Sequence, residues 1–298
     1  MPGVMTIAHA DGAGGVRASV RGATAADVPA ITRFLHGFWP QIPPATWRSL
    51  FEYDWIKDKP DLGFVLTDSQ GEIAGFLATI YADRDTPHGR VRFCNVSSWA
   101  VRPEQRACAL LLVREVLNRR ECAITNLSPS PEAQAFFLRT GFQPLDDAKL
   151  VWLPFANPAT LRGPAGTRVE DDPARMRELL DERGRQILAD HPRCSHLVVE
   201  QAGGAVSHVV SIVRRKRGLR VSEILYCSDS ALLARVFERV KLHMLRRDRA
   251  AALVADARIL GEHAPRGLRV KRKACFRSSQ VSPAEVDNLY SEYALLPM

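Results

Sequence analysis

The sequence predicts an α/β (α+β) fold in which helices flank a mixed central sheet, and three observations predict it. The first is residues 91–119, where a run rich in β-branched, aromatic and Cys residues ends before Pro103. A helix is then expected from Gln105, with its apolar face at Ala109, Leu110, Val113, Val116 and Leu117. The second is a pair of apolar segments joined by Ser69-Gln70-Gly71, which is a hairpin signal. The third is the order helix, three strands, helix, strand, strand, which the second half repeats.

The composition is that of a globular protein with enough apolar residues for two domains. The 298 residues are 46% hydrophobic and 25% charged, which argues against a disordered or fibrous chain. No apolar run approaches the about 18 residues of a membrane span, and residues 1–15 lack the pattern of a signal peptide. The six Cys contain no C-x-x-C pair, which favours reduced thiols. We therefore expect a cytoplasmic protein.

The net charge of +8 is concentrated in the second half, since residues 165–298 carry +7 of it. The densest basic runs are RRKR at 214–217, RRDR at 246–249 and KRK at 271–273. One interpretation is that these runs are solvated turns and strand ends. The other is that they attract an acidic partner such as CoA phosphates, nucleic acid or an anionic membrane surface.

The first half divides into elements with clear start and stop signals. After a tail at 1–15, which we expect to be mobile, a capping box at Thr24 and Asp27 opens a helix. A Pro-rich break then precedes a short helix at 47–53, and Ser130-Pro131 opens another helix that ends at Gly141. Strand patterns lie at 16–22, 62–68, 72–82, 91–101, 122–127 and 150–153.

The second half contains two helix patterns and five strand patterns. The helices are expected at 175–188 and 230–245, and Asp229 or Ser230 would cap the second of them. The strands are expected at 197–201, 205–213, 221–226, 252–257 and 268–276.

The junction V-x-P-E-x-R at 101–106, between a strand and a helix start, resembles the acyl-CoA pyrophosphate loop of the GNAT acyltransferase superfamily. The helix that ends at Gly141-Phe142 and the strand after it also resemble the close of that fold. The resemblance implies a GNAT-like, acyl-CoA-binding domain at 16–155, a linker at 156–166 and a second, degenerate GNAT-like domain at 167–298. Ala109 and Leu111 stand at the loop's usual small-residue positions, the first of which is Gly in the family, so the phosphate cradle would be narrower.

The resemblance also implies which residues would hold an acyl-CoA co-substrate. Backbone N–H groups near the end of the fourth strand would polarise the thioester carbonyl. The first N–H groups of the following helix are expected to point outward without a partner in the helix, and they would bind the pyrophosphate. Ser130 stands where an Asn often contacts the pantetheine arm, and Phe137 stands where a Tyr usually protonates the leaving thiolate. The implied co-substrate-binding residues are Trp99, Ala100, Val101, Arg106, Ala107, Cys108, Ala109, Leu110, Leu111, Ser130 and Phe137.

Polar residues at the ends of two neighbouring strands are candidates for chemistry. Thr125, Asn126 and Ser128 lie at the end of the fifth strand, and Ser97-Ser98 lie in the fourth. We take Asn126 and Ser128 as candidate catalytic residues that would bind the acceptor or position a water. The alternative is that these groups form ordinary strand-end hydrogen bonds and helix caps.

The aromatic residues around the short helix at 47–53 also allow two interpretations. Trp47, Phe51, Tyr53 and Trp55 would line the acceptor pocket if the resemblance holds in this region. They would otherwise only cover the sheet.

Other site classes find little support in the sequence. His191, Cys194 and His196 form H-P-R-C-S-H, but four metal ligands are not visible and Pro192 favours a turn, so no metal is expected. Neither G-x-S-x-G nor G-x-x-x-x-G-K occurs, which leaves hydrolases and NTPases unsupported.

The resemblance implies an acyltransferase that moves an acetyl or other acyl group from a CoA thioester to an amine or hydroxyl of a small-molecule or peptide acceptor. One alternative is a non-catalytic GNAT-like binding or regulatory protein. Another is an acyltransferase with an aminoacyl-tRNA donor. The basic runs lack aromatic stacking platforms, so nucleic acid is a weakly supported partner.

Overall fold

The computed structural model describes residues 18–145, 148–155, 161, 164–216 and 218–296, and these residues form two compact units. The first unit runs to Pro129 and includes Phe276–Val281, and the second comprises Ser130–Cys275 and the chain from Ser282 onward. The predicted tail at 1–15 and most of the predicted linker, 156–160 and 162–163, lie outside the described residues. The predicted fold class, helices around mixed sheets, is confirmed.

The first unit is built on a mixed sheet with the strand order β1-β2-β3-β4-β5-β14. Its strands are β1 (Ser19–Gly22), β2 (Phe64–Thr67), β3 (Ile73–Thr86), β4 (Gly89–Val101), β5 (Cys122–Asn126) and β14 (Cys275–Arg277). Its α-helices are α1 (Val28–Phe38), α2 (Pro44–Arg48) and α3 (Ala109–Leu117). Strands β1 to β4 pair antiparallel, and β4 pairs parallel with β5.

The second unit has its own mixed sheet with the order β13-β7-β12-β11-β10-β9-β8. The strands are β6 (Gln143–Pro144), which is outside this sheet, β7 (Ala148–Trp152), β8 (Arg168–Glu170), β9 (Ser195–Glu200), β10 (Val206–Lys216), β11 (Leu219–Cys227), β12 (Ala252–Asp256) and β13 (Leu268–Lys271). The helices are α4 (Pro131–Arg139), α5 (Pro173–Leu179), α6 (Glu182–Asp190), α7 (Ser230–Arg235), α8 (Phe237–Asp248), α9 (Ala257–Leu260) and α10 (Glu292–Leu295).

Local signals of the first half are confirmed at several places. Thr24 and Asp27 form the predicted capping box, with the Thr24 N–H donating to Asp27 at 2.8 Å, although the box opens a single 3-10 turn before α1. Strands β2 and β3 form the predicted hairpin, closed by the Asp68 N–H donating to the Glu72 carbonyl. Ser130 caps α4 by accepting a hydrogen bond from the Ala133 N–H at 3.2 Å.

Both predicted long helices of the second half are split in two. The first breaks at Leu180, which is extended, and Asp181 then caps α6 by accepting from the Gly184 N–H at 2.7 Å. The second breaks at Val236, after Asp229 has capped α7 through the Leu232 N–H at 2.8 Å. The apolar periodicity continues across the second break, so the sequence pattern did not mark it. The first break precedes residues 181–186, which carry no apolar side chain and include Gly184, and this was a usable signal.

The predicted sheet partners of two closing strands are wrong. The strand expected to finish the first sheet, 150–153, is β7, and it pairs with β12 and β13 in the second sheet. The end of the strand expected at 268–276 becomes β14, which lies beside β5. The predicted ranges 16–155 and 167–298 therefore differ from the two compact units.

Packing explains why β7 belongs to the second sheet. Ala148, Leu150 and Trp152 alternate into the core, as one buried face of a strand requires. The Trp152 ring lies 4.7 Å from the Phe237 ring on α8, and its Nε1–H donates to the Arg266 carbonyl at 3.0 Å. Periodicity predicts a strand and its buried face, but the partner strand depends on contacts distant in sequence.

All six cysteines are unpaired thiols.

Within the described ranges, no helix combines the length and the apolar character that crossing a bilayer would require.

Two buried histidines face each other across β9 and β10. His196 Nε2 lies 2.9 Å from the His191 carbonyl oxygen, which can only accept, so His196 donates there. His196 Nδ1 is then the acceptor for His208 Nε2–H at 3.1 Å. Burial, together with the neighbouring His196, lowers the pKa of His208 from 6.5 to about 3.

This lowered pKa predicts a loss of stability in mild acid. The unfolded chain takes up a proton at His208 below about pH 6.5, whereas the folded chain does so only near pH 3, so the stabilisation is lost as the pH falls. Urea unfolding at pH 7.5 and 5.5 should show a loss of about 1.4 kcal/mol from this group. His208→Gln should reduce the difference between the two pH values, and the exposed His263→Gln should not. Equal differences in both variants would contradict the prediction.

Candidate functional site

The parallel strands β4 and β5 run together for only a short distance. Their register extends from Arg92 opposite Cys122 to Asn95 opposite Thr125. Strand β4 then continues to Val101, whereas β5 ends at Asn126. The two strands therefore form a fork, and the backbone of β4 at residues 96–101 has no ladder partner in β5.

A bulge in β4 lies within this fork. The pairing of β3 with β4 shifts between Ala78 opposite Ser97 and Phe76 opposite Ala100, so Ser98 and Trp99 both face Leu77. Ser98 has a φ of 52°, a left-handed conformation that a non-glycine residue rarely adopts. A bulge bends the strand and increases its twist. It therefore changes the direction of the end of β4, which stays paired with β3 up to Val101, near the point where β5 stops.

Buried polar side chains lie where the strands part. The Thr125 hydroxyl donates to Asn95 Oδ1 at 3.0 Å, and both residues are buried. The hydroxyl oxygens of Ser97 and Ser98 lie 3.3 Å apart. Asn95 was not among the predicted site residues, although a single amide in the strand VRFCNVSSW was a usable signal.

The two candidate catalytic residues differ in exposure. Asn126 is buried at the end of β5, and Ser128 is exposed two residues beyond it. Thr125 is held by Asn95, which favours the structural alternative for that hydroxyl. The roles of Asn126 and Ser128 stay predictions.

The segment after β4 differs from the predicted helix start. Pro103–Cys108 is a 3-10 helix, and α3 begins at Ala109 instead of Gln105. The Gln105 N–H donates to the Arg102 carbonyl at 2.9 Å, and the Ala109 N–H donates to the Arg106 carbonyl. Because a 3-10 helix bonds each N–H to the third residue before it, the N–H groups between them are used inside the turn. The expectation that these first N–H groups point outward without a partner is wrong for this conformation.

The apolar face of α3 is also shifted from the predicted one. Leu112, Val113 and Val116 are buried, whereas Leu110, which was placed on the apolar face, is 53% exposed. Arg106, Ala107 and Leu110 thus form an exposed surface at the start of the helix, with Cys108, Ala109 and Leu111 half-buried behind it.

Ser130 and Phe137 belong to the second unit. The Ser130 hydroxyl is occupied as the cap of α4. Phe137 is fully buried and packs edge-on against Phe142 with ring centroids 4.8 Å apart. A Tyr at this position would bury its hydroxyl, so the residue found here is the one that the core requires.

The aromatic residues near α2 are core residues. Trp47, Phe51 and Tyr53 are each less than 10% exposed. Tyr53 Oη accepts from the Tyr81 N–H at 3.1 Å, and Trp55 Nε1–H donates to the Tyr81 carbonyl at 2.8 Å. These contacts favour the packing interpretation over an open acceptor pocket.

A buried carboxylate supports the sheet behind the fork. Asp61 accepts from Thr79 at 2.6 Å, from Tyr81 at 2.9 Å and from Arg119 at 2.7 Å. Gly63, with a φ of 109°, allows the chain to pass close to β3, because a Cβ there would lie 2.4 Å from the Leu77 carbonyl oxygen. The network joins the loop before β2, the strand β3 and the end of α3. Its members are far apart in sequence, and no motif marked them.

The second unit contains the same fork between β11 and β12. Their parallel register runs from Val221 opposite Ala252 to Ile224 opposite Ala255, and β11 then continues to Cys227. The pairing of β10 with β11 also contains a bulge, in which Leu225 is the extra residue.

The C-terminal segment fills this second fork. The Asn288 N–H donates to the Leu225 carbonyl at 3.1 Å, and its side-chain amide donates to Asp256 at 2.6 Å. Arg258 donates to Asn288 Oδ1 at 2.6 Å, and Asn288 is fully buried. The bulge carbonyl and the end of β12 are therefore already occupied by the chain itself.

A buried ionic cluster holds the end of the same segment. The Tyr293 ring lies 4.3 Å from the Arg214 guanidinium and 5.1 Å from that of Arg272. Burial opposes the charge of Glu223, but Lys149, Arg214 and Lys216 outweigh it and lower its pKa to about 2. The cluster thus ties Tyr293 of the C-terminal segment to Arg214 of β10 and to Arg272.

His191, Cys194 and His196 are not assembled as a metal centre. His196 is used in its contacts with His191 and His208. Across the described ranges, no three His, Cys, Asp or Glu side chains are placed to hold a metal ion.

Removing the Asn288 side chain should destabilise the second unit. Asn288→Ala removes one buried hydrogen bond from Asp256 and one from Arg258. This loss should lower the free energy of unfolding by about 3 kcal/mol. Urea unfolding measures this loss. Asn118→Ala, at the exposed end of α3, should change stability by less than about 0.5 kcal/mol. Equal unfolding midpoints for the two variants would show that the segment does not hold the fork.

Comparison with known proteins finds similarity in structure and not in sequence. No protein-family model matches the sequence, and no curated protein matches it significantly. A GCN5-related N-acetyltransferase from Anabaena variabilis superposes with a TM-score of 0.56 at 12% identity, over 88% of this chain and 72% of that one. A putative acetyltransferase from Pyrococcus horikoshii gives a TM-score of 0.53 at 13% identity, over 95% and 97% of the two chains.

The N-myristoyltransferase of Saccharomyces cerevisiae, solved with bound myristoyl-CoA, gives a TM-score of 0.50 at 9% identity, over 96% of this chain and 89% of that one. These likenesses extend over nearly the whole chain and confirm the fold that the resemblance implied. Together with the bulged strand and the fork, they show that this chain has the fold of the GNAT superfamily.

Proposed function

We propose that the first unit transfers an acyl group from a CoA thioester to an amine or hydroxyl acceptor. The observation that carries the proposal is the fork between β4 and β5. Beyond Asn95 and Thr125, the ladder between the two strands ends, while β4 continues to Val101. An extended amide-containing arm, such as pantetheine, could take the place of the missing strand.

The residues around the fork suit the different parts of a CoA thioester. The backbone of Trp99, Ala100 and Val101 would polarise the thioester carbonyl. Arg106 is exposed at the start of α3 and has no ion pair within the described part of the chain, so its guanidinium is available for a phosphate. The half-buried Cys108, Ala109 and Leu111, with Ala107 and Leu110, would form the floor and rim of this phosphate site.

The chain's own contribution to the chemistry would lie at the end of β5. The thioester supplies an electrophilic carbonyl carbon, and the acceptor must reach it with a free lone pair. Asn126, as a neutral amide, can orient an acceptor or a water by hydrogen bonding, and the exposed Ser128 can do the same at the rim. Neither side chain is a base of the required strength, so we assign them positioning roles.

Structural neighbours support this class of reaction. The Anabaena protein is named as an N-acetyltransferase, and the yeast neighbour was solved with myristoyl-CoA. These names describe those proteins. The acyl chain that this protein accepts, and the acceptor, are part of the proposal.

A binding protein without catalysis is the second candidate, and specific observations favour it. The N–H groups of the turn at Pro103–Cys108 bond within the turn, and Phe137 is fully buried in the core.

An aminoacyl-tRNA donor has less support, because two of the basic runs each contain an arginine that is buried and bonded inside the protein. Arg214 donates to the Tyr293 carbonyl at 2.7 Å, and Arg272 pairs with Asp256 at 2.6 Å.

Donor binding should depend on Arg106. Loss of a charge-assisted phosphate contact in Arg106→Ala should weaken acyl-CoA binding by about 1–3 kcal/mol. Calorimetric titration with acetyl-CoA and myristoyl-CoA measures the change. Arg114→Ala, which removes an exposed arginine farther along α3, is the matched control and should bind like the wild type. Absence of any heat with both thioesters at millimolar concentration would rule out donor binding here.

A second variant, at Asn126, distinguishes an effect on catalysis from an effect on acyl-CoA binding. Asn126→Ala should lower kcat by about tenfold or more while leaving the Kd for acyl-CoA unchanged, because the side chain would act on the acceptor. Release of CoA thiol across a panel of amines provides the rate, and calorimetry provides the Kd. A wild-type protein that binds acyl-CoA but releases no thiol with any amine would favour the binding protein.

A further inference from the structure

A pocket lies in the first unit, at the opposite end of β5 from the fork. Its volume is about 370 Å³, which is within the range of small-molecule sites. The lining residues come from the end of α3, the start of β5 and the segment after β14. They are Leu117, Arg119, Arg120, Glu121, Cys122, Ile124, Arg277, Ser278, Ser279 and Gln280.

The pocket has an apolar floor. Ile124 and Cys122 project from the same face of β5 and are both nearly buried, and Leu117 adds the end of α3. Burial, followed by the neighbouring Glu121, raises the pKa of the Cys122 thiol to about 12. The thiol therefore stays protonated and behaves as part of the apolar surface.

One arginine of the wall is fixed in place from behind. Arg119 donates to the buried Asp61 at 2.7 Å, and Asp61 is itself held by Thr79 and Tyr81. This contact orients the guanidinium and neutralises its charge. A guanidinium has five N–H donors, so Arg119 retains donors for a ligand.

The other two arginines of the wall carry uncompensated charge. Arg120 is exposed and Arg277 half-buried, and neither pairs with a carboxylate in the described part of the chain. Glu121 is the acidic lining residue. The segment after Arg277 is ordered by a turn in which Ser278 Oγ accepts from the Gln280 and Val281 N–H groups at 3.0 and 3.1 Å. Two guanidinium groups, with the hydroxyls of Ser278 and Ser279, thus surround an apolar floor.

The pocket is distinct from the fork. Its lining reaches from Cys122 to Ile124 at the amino end of β5, whereas the fork begins at the next residues, Thr125 and Asn126. Successive side chains of a strand point to opposite faces, so Ile124 and Thr125 face different sides of the sheet. The distance from Cys122 to Asn126 along an extended strand is about 13 Å. Ligand binding in this pocket therefore does not require the proposed acyl transfer.

We infer that this pocket is a binding site for a small organic anion, with a phosphate or carboxylate group on Arg120 and Arg277 and a short apolar part on the β5 floor. Planar guanidinium groups match the two oxygens of such an anion. An apolar floor of two residues favours a ligand that carries a small apolar group over a bare ion.

Titration of the full chain with two probes tests the inference. Phenyl phosphate and inorganic phosphate are titrated by calorimetry at low ionic strength, where surface charge is least screened. Phenyl phosphate should bind saturably and more tightly than inorganic phosphate. Arg277→Gln and Arg120→Gln should each weaken it by about tenfold.

Two control variants test whether phenyl phosphate binds in this pocket. Arg114→Gln, on the exposed face of α3, should bind phenyl phosphate like the wild type. Arg106→Gln should also bind it normally, which separates this pocket from the proposed phosphate site of the fork. The inference is overturned if phenyl phosphate gives no saturable heat, or if binding is lost in Arg106→Gln and kept in both Arg120→Gln and Arg277→Gln. Because Arg120 is exposed, its variant remains informative if Arg277→Gln does not fold.

Discussion

The separation of β4 from β5 is the constraint on which the candidate site depends. Strand pairing satisfies backbone N–H and C=O groups, and a strand that loses its partner must find other partners or face water. A bulge at Ser98 and Trp99 lies in β4 beyond the point where its ladder with β5 ends, and β5 itself ends at Asn126. The chain therefore keeps a stretch of β4 that pairs with β3 and has no ladder with β5. Ser98 holds a disfavoured left-handed conformation at this place.

Each unit contains a fork between two parallel strands, and in the second unit the chain itself occupies it. In the second unit, Asn288 bonds to the bulge carbonyl of Leu225 and to Asp256 at the end of β12. The chain thus supplies an internal occupant, which the cluster around Tyr293 holds in place. In the first unit, the ladder between β4 and β5 ends at Asn95 and Thr125, while β4 continues to Val101. We propose that the first fork is the better candidate for a ligand.

Several parts of this structure could be predicted from the sequence because their causes are local. The capping box at Thr24, the hairpin at Gly71 and the cap at Ser130 each depend on residues a few positions apart. Two features could not be predicted, since they depend on contacts distant in sequence. The helix expected at 230–245 breaks at Val236, and β7 and β14 each join the sheet of the other unit than expected. Among site residues, the polar end of β5 was found, whereas Asp61 and Asn288 were not. Their partners come from separate strands and loops, and no spacing marks such sets.

Hydrogen–deuterium exchange with and without acetyl-CoA tests the central claim most directly, because that claim concerns backbone N–H groups at the fork. If the β4 edge binds the acyl donor, amides at 96–101 should exchange more slowly with the ligand present. Amides at 221–227, where the C-terminal segment already fills the second fork, should exchange at the same rate in both samples. Protection at 221–227 with none at 96–101 would contradict the account.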